Sequence, residues 1–327
     1  MFGIDFYPTP EKLLDKITQG MDWDYVYTVL EPSAGKGNIA DYVKRKATRS
    51  GWRSKEADID CIEIDEQLKH ILKGKGYPVV HNDFLSFNTY KRYDLIIMNP
   101  PFSNGTAHLT KALELQKHGG AIICILNAET IRNPYTNERK VLVTALKEYN
   151  AEITYMQHEF MDAERKTDVE IAVVKVLIPE KEKVSVIYEE MKKKHYAEAR
   201  EQEQTDIVLS DFILSAVNQY TLELDAGIHL IEEYKAMKPY ILCTFEDNSG
   251  SFLTLHLKGK EELSINKFVE AVRMKYWNAL FNDPKFTKNM TSNLVEEYRS
   301  KVQELKHYDF SVYNIKEIQM QMTKNLI

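Results

Sequence analysis

Val26-Tyr27-Thr28-Val29-Leu30-Glu31-Pro32-Ser33-Ala34-Gly35-Lys36-Gly37-Asn38 is the stretch on which the fold turns. Its first half is β-branched and apolar, its second holds a proline, a serine and two glycines, and a segment of helical period follows. A buried strand that breaks into a glycine loop and then a helix is the opening unit of a parallel sheet. Glycines there let the backbone pass close to a ligand on its way to a helix N-terminus. Outward from this unit the alternation persists. Ile59–Ile64, Pro78–His81, Tyr93–Met98 and Ala121–Asn127 read as further strands separated by helix-like stretches, one of them ending at Gly119-Gly120, where a left-handed cap is easiest to form. The last two runs, Ile153–Phe160 and Val169–Ile178, have only the eight residues Met161–Asp168 between them. That is too few for a crossover helix, so they are expected to pair as an antiparallel hairpin. The expected fold is α/β, five parallel strands closed by that hairpin.

Beyond Pro179 the character changes. Residues 184–204 form a charged helical stretch with Lys192-Lys193-Lys194 on it, read as a solvated connector. The remainder is mainly helical by period, interrupted by a turn-like Asp247-Asn248-Ser249-Gly250 before a strand expected at Phe252–Leu257. Ser264 then stands as the cap of an amphipathic helix carrying Phe268, Val272, Tyr276 and Trp277. The domains are therefore expected at residues 1–180, with a connector at 181–205, and at 206–327. The chain ends at Leu326-Ile327 within a still-periodic stretch, which leads to the expectation of a continuation or of a partner that covers it.

Composition bounds the function. With 327 residues the chain has ample core for two domains. The net charge of -6 is spread over both parts, 23 Lys+Arg against 25 Asp+Glu in residues 1–178 and 20 against 24 in the rest. Phosphate contacts need Lys and Arg, so any nucleic-acid footprint must be a local patch. Lys44-Arg45-Lys46, Arg49, Arg53 and Lys55 precede the second strand and so fall at the N-terminal edge of the sheet, as does Lys91-Arg92. Ligands in open α/β sheets sit at the other edge, so these are read as solvated surface. Arg165 and Lys166 in the hairpin loop, and Arg132, Arg139 and Lys140 after the fifth strand, are better placed to bind substrate. Cys61, Cys124 and Cys243 form no close-spaced pair, and the nine histidines show no ligand spacing, so no metal is expected. With no charged-then-apolar leader and no run of about 18 apolar residues, a cytoplasmic chain without membrane contact is expected.

The glycine loop alone is ambiguous. Gly35, Gly37 and Ala40 also satisfy a dinucleotide spacing, with Glu63 standing where a ribose-binding acid belongs, so a dehydrogenase is a rival on this loop. Asp94-Leu95-Ile96-Ile97-Met98, leading into Asn99-Pro100-Pro101-Phe102, decides against it. An exocyclic amino group on adenine is a poor nucleophile because its lone pair is delocalised into the ring. An amide oxygen from Asn99 and the carbonyl of Pro100, each accepting one N–H hydrogen, favour the tetrahedral nitrogen and free that pair. The double proline fixes φ at Pro100 and Pro101, and Phe102 offers a ring face for stacking a base.

At these residues the sequence resembles the class I S-adenosylmethionine-dependent amino-methyltransferases, in particular DNA N6-adenine methylases. The resemblance covers roughly residues 5–178 and implies a Rossmann-like seven-stranded sheet that binds S-adenosylmethionine. The family's N-terminal Thr-Pro motif, which helps hold the methionine moiety, falls on Phe6-Tyr7-Pro8-Thr9-Pro10. Its glycine loop corresponds to Glu31 through Gly37 with Ala34 and Gly35, its ribose acid to Glu63, its adenine-reading acid and aromatic to Asp83-Phe84, and its catalytic tetrad to Asn99–Phe102, Asn99 also touching the cofactor site. The order of the motifs looks like the gamma arrangement, in which target recognition follows the catalytic domain. Phe102 departs from the more usual Tyr, and both stack. The C-terminal half is similar to a domain attached to phage and prophage methylases, which implies no mechanism. The resemblance implies double-stranded DNA as partner, with the base flipped out of the stack at a cost of a few kcal/mol. C5-cytosine chemistry would need a Pro-Cys, which is absent. N4-cytosine enzymes usually open the tetrad with Ser or Asp, so Asn99 points to adenine. RNA adenine and protein glutamine methylation stay open, as does a subunit that binds S-adenosylmethionine without turnover. The helical domain is expected to select substrate or to mediate assembly, with a second copy or another protein.

Overall fold

The computed structural model describes residues 8–49, 55–160, 169–180, 212–241, 255–257, 264–287, 292–300 and 302–324. The chain divides into two compact units, Met1–Lys181 and Glu182–Ile327. In the first, seven strands form one sheet: β1 (Thr28–Pro32), β2 (Asp58–Ile62), β3 (Val79–His81), β4 (Leu95–Met98), β5 (Gly120–Asn127), β6 (Glu152–Met156) and β7 (Ile171–Ile178), in the order β3-β2-β1-β4-β5-β7-β6. β1 to β5 pair in parallel, and β7 is antiparallel to both β5 and β6. The last two strands do pair as a hairpin, but β7 is the inserted one. β6 therefore runs with the parallel set and only β7 opposes it. This is the Rossmann-like architecture with a mixed terminal edge.

Residues alternate between the two faces along each strand, and both faces are covered, which is why the runs read as almost continuously apolar. Val29, Ile59, Cys61, Leu95, Ile97, Ile123 and Ile171 pack with α1 (Glu11–Ile17) and α2 (Asn38–Ala47). Leu30, Ile62, Ile96, Met98, Ile122, Cys124 and Val174 pack with α4 (Gly105–Leu115) and α6 (Asn137–Glu148). Between these helices lie α3 (Glu66–Gly74), capped by the Asp65 carboxylate at 2.8 Å from Gln67 N, and the short α5 (Glu129–Arg132). The strand order reverses between β1 and β4, one continuing to β2 and β3, the other to β5. A crevice forms where the two connections diverge.

Three expectations need correction. The sixth strand stops at Met156, and Phe160 leaves the ladder to pack, fully buried, in the α1/α2 face. Gly119 and Gly120 do not cap α4, which has ended at Leu115; their φ values of +123° and +126° serve the entry to β5, where a Cβ on Gly120 would come within 2.6 Å of the Tyr93 carbonyl. Residues 255–257 of the expected strand are not in one, while 252–254, the Asp247–Gly250 turn and the 184–204 connector lie outside the described residues.

The described part of the second unit is mainly helical: α7 (Phe212–Ile241), α8 (Ile265–Asn282), α9 (Pro284–Thr287), α10 (Ser292–Ser300) and α11 (Val312–Lys324). Trp277 and Phe281 of α8 meet Phe310 and Phe286 in an aromatic core, with the Trp277 and Phe310 rings 5.0 Å apart. The Trp277 indole N–H donates to the Tyr308 carbonyl at 3.0 Å, and the buried Arg273 pairs with Asp309. Among the described residues no helix is long and apolar enough to cross a membrane.

Candidate active site

The crevice is a cleft of about 450 Å³ at the C-terminal ends of β1, β2 and β4 and in the turn after β3. The loop after β1 forms its floor. Ser33, Gly35 and Gly37 all take positive φ, +67°, +58° and +79°, so the chain folds back tightly before α2 begins. Two backbone bonds hold it, Ala34 N to the Ile62 carbonyl at 2.9 Å and Gly37 N to the Ala34 carbonyl at 2.8 Å. Glu63, following β2, locks this loop from the side, its two carboxylate oxygens accepting from Gly35 N at 2.7 Å and Asp65 N at 2.9 Å. Glu31 is 2% exposed and accepts from Ala40 N at 2.8 Å. Burial pushes its carboxyl well above the usual range, against the pull of that N–H.

Beyond β3 the wall is made by Asn82, Asp83, Phe84 and Leu85. Asp83 accepts from Leu85 N at 3.0 Å, and the buried Phe84 ring lies 5.6 Å from that of His108 on α4. Ile64 also lines the cleft yet is 73% exposed, an apolar side chain offered to whatever enters.

Asn99 closes the cleft directly after β4. Its amide nitrogen donates to the Thr9 hydroxyl at 3.1 Å, and Thr9, itself buried, lines the cleft too. Pro101 lines the cleft, while Pro100 is buried behind it. The Pro101 carbonyl accepts from Asn104 N at 2.9 Å, which starts the turn into α4.

Of the residues singled out from sequence, Thr9, Glu31, Ala34, Gly35, Glu63, Asp83, Phe84, Asn99 and Pro101 line one cleft. Gly37 stands behind the wall as the left-handed N-cap of α2, and Pro10 caps α1, its carbonyl accepting from Leu13 N and Leu14 N. Phe102 is half-buried and packs against the α1/α2 face of the sheet, not along the cleft. Arg132, Arg139 and Lys140 do not line it either. Arg132 pairs with Glu170 and lies 4.2 Å over the Tyr155 ring, and Arg139 donates to the Asn133 carbonyl at 3.5 Å. Tyr7, Arg165 and Lys166 lie outside the described residues. At the opposite edge Lys44, Arg45, Lys46 and Arg49 each face an acid, and Lys91 is buried between Asp58 and Asp60 at 2.7 Å from each.

Sequence reasoning missed Ser33, Ile64, Asp65 and His108. Asp65 was legible as a helix cap, and His108 as the residue one turn after Asn104. The left-handed Ser33 had no local signal.

Residues 13–149 match the family model described as methyltransferase small domain. No curated protein matches the chain in sequence. Among solved structures the chain is similar to the methyltransferase subunit of a type I restriction-modification system from Streptococcus thermophilus, with 16% identity over 52% of this chain and 44% of that one and a TM-score of 0.42. It is also similar to a dimethyladenosine transferase from Plasmodium falciparum (16% identity, 53% and 63%, TM-score 0.38) and to an O-methyltransferase from Bacillus cereus (14% identity, 53% and 83%, TM-score 0.38). The chain spans less than two thirds of the length of the first two. Residues 13–149 are thus similar to a methyltransferase domain and lie on a seven-stranded Rossmann-like sheet, and the cofactor that goes with this fold is S-adenosylmethionine.

The cleft suits that cofactor. Carboxylates at Glu31, Glu63 and Asp83 can accept from its hydroxyl and amino groups, the exposed Ile64 offers an apolar surface to its base, and the glycine loop brings backbone to the wall.

Proposed function

We propose that this chain methylates the exocyclic N6 amino group of adenine in double-stranded DNA. One observation carries this: Asn99 lines the same cleft as the glycine loop, where its amide nitrogen donates to the Thr9 hydroxyl. When bound, S-adenosylmethionine supplies a methyl carbon on a sulfonium, an electrophile that leaves a neutral thioether. Glu63 holds its ribose, Asp83 and Phe84 its adenine, and Thr9, Glu31 and Gly35 its methionine end. The chain's own work is on the nucleophile. The Asn99 amide oxygen and the Pro100 carbonyl accept the two N–H hydrogens of the target amino group and so stabilise its tetrahedral form. No general base is required, because the nitrogen becomes strongly acidic once alkylated.

Phe102 stacks the flipped base in this scheme. Arg132, Arg139, Lys140, Arg165 and Lys166 contact phosphates, Arg132 exchanging Glu170 for DNA, and the helical unit selects the site. Because the chain is acidic overall, binding should rest on few phosphate contacts.

The test is sequencing with modification detection on DNA from a methylase-deficient host expressing the chain, beside one expressing Asn99→Ala. Methylated adenines at a fixed motif, lost in the variant, are expected. Unmodified DNA from a well-expressed protein that binds S-adenosylmethionine would move the substrate to RNA or protein, for which the net charge of -6 is the favouring observation.

A further inference from the structure

We propose that His108 is a specificity-determining residue of the cofactor cleft: together with Asp83 it reads the exocyclic amino group of the cofactor's purine. This rests on the cofactor assignment above and adds to it a second acceptor from a different element.

His108 stands on α4, one turn after Asn104, at the end of the cleft walled by Asp83 and Phe84. The side chain is 7% exposed, with its ring against that of Phe84. Nδ1 lies 3.0 Å from the Asn104 carbonyl oxygen. A backbone carbonyl can only accept, so Nδ1 carries the hydrogen, and in a neutral imidazole Nε2 is then an acceptor. Burial holds the ring's pKa below the ordinary histidine value, against the opposing effects of the Asn104 carbonyl and the Asp83 carboxylate, which keeps it neutral. Among the described residues nothing hydrogen-bonds to Nε2, and that atom is not one of the fully enclosed polar atoms without a partner. It is an acceptor in the cleft wall, supplied by the sheet-covering helix, while Asp83 supplies another from the turn after β3.

The chemistry of the pair defines its ligand. A purine amino group carries two N–H hydrogens and satisfies two acceptors at once. A hydroxyl satisfies one. An oxo group at the same position has no hydrogen to give and would set its lone pairs against both, leaving buried acceptors without partners. Two acceptors thus select an aminopurine over an oxopurine.

The probes are S-adenosylhomocysteine and its deaminated counterpart S-inosylhomocysteine, titrated calorimetrically into the full chain. The wild-type protein should prefer the former. His108→Phe keeps an aromatic ring beside Phe84 but removes the acceptor. It should weaken S-adenosylhomocysteine binding by roughly tenfold and leave S-inosylhomocysteine no weaker, or tighter because one opposing lone pair is gone. His108→Gln, whose amide reaches the place of Nε2, should retain most of the preference, whereas His108→Asn, which reaches only the place of Nδ1, should not. Thermal melts accompany each variant, and if the Phe variant does not fold, the Gln and Asn pair decides. Equal weakening of both ligands, an unaltered preference in all three variants, or no preference in the wild type would overturn the role of His108. Failure of the wild type to bind S-adenosylhomocysteine at all would instead overturn the cofactor assignment beneath it.

Discussion

Asn99 and Thr9 are ninety positions apart in sequence and joined by one hydrogen bond of 3.1 Å. Asn99→Ala removes an acceptor needed most when the target nitrogen turns tetrahedral, so single-turnover methyl transfer should slow by about 100-fold or more while cofactor binding survives. A wild-type rate in that variant would end the claim that the amide activates nitrogen. Thr9→Val keeps the shape and removes the hydroxyl that holds the amide's orientation. We expect roughly a tenfold slower transfer at saturating cofactor, on the scale of one lost hydrogen bond, with Thr9→Ser restoring it. A change in KM alone would make Thr9 a cofactor contact only. Asn99-Pro100-Pro101 stands out in the sequence because Asn-Pro-Pro is a local device, rigid whatever surrounds it. The partner of Asn99 does not, because a hydroxyl ninety residues away leaves no trace in the residues beside it. Phe102 shows the same limit from the other side: its ring was readable as a stacking surface, yet much of it is spent on the sheet's apolar face.

At the level of elements, packing constraints are sharpest where helices touch. In α7, a Cβ built on Gly227 would lie 2.0 Å from Cζ and 2.4 Å from Cε1 of Phe268 on α8. Gly→Ala inside a helix ordinarily gains about 1 kcal/mol in propensity. Here the added methyl must displace a ring, and overpacking costs about 1 to 3 kcal/mol. Gly227→Ala should therefore lower the melting temperature by a few degrees, and Phe268→Leu in the same background should recover most of the loss. A higher melting temperature in the single variant would mean that the helices do not approach so closely. The strands tell a complementary story. Their existence follows from β-branched runs and from the eight-residue gap Met161–Asp168, because both act within a few positions. That β7 inserts between β5 and β6 follows from pairing across the whole length of β5, from Gly120 with Ile178 to Asn127 with Ile171. No local signal expresses that competition between edges.

For the molecule as a whole, the first unit carries every residue of the cleft. Residues 1–181 alone should bind S-adenosylmethionine with the affinity of the full chain but lose DNA affinity or site choice if the helical unit selects substrate. Calorimetry with cofactor and a methylation assay on duplex DNA check both halves of that expectation. A fragment that modifies the same motif at the same rate would leave the second unit a role in assembly. Order along the chain was enough to anticipate the fold. A strand, a glycine loop, an acid after the next strand and Asn-Pro-Pro-Phe after the fourth each record a local backbone requirement, and their sequence places them at one edge of a parallel sheet. Tertiary structure alone decided which side chains share the cleft. It brought in Ser33, Ile64, Asp65 and His108, set Thr9 against Asn99, and tied Arg132 to Glu170. Periodicity tells which face of an element is apolar, whereas the partner across a gap depends on how whole elements pack, and that is written in no single stretch.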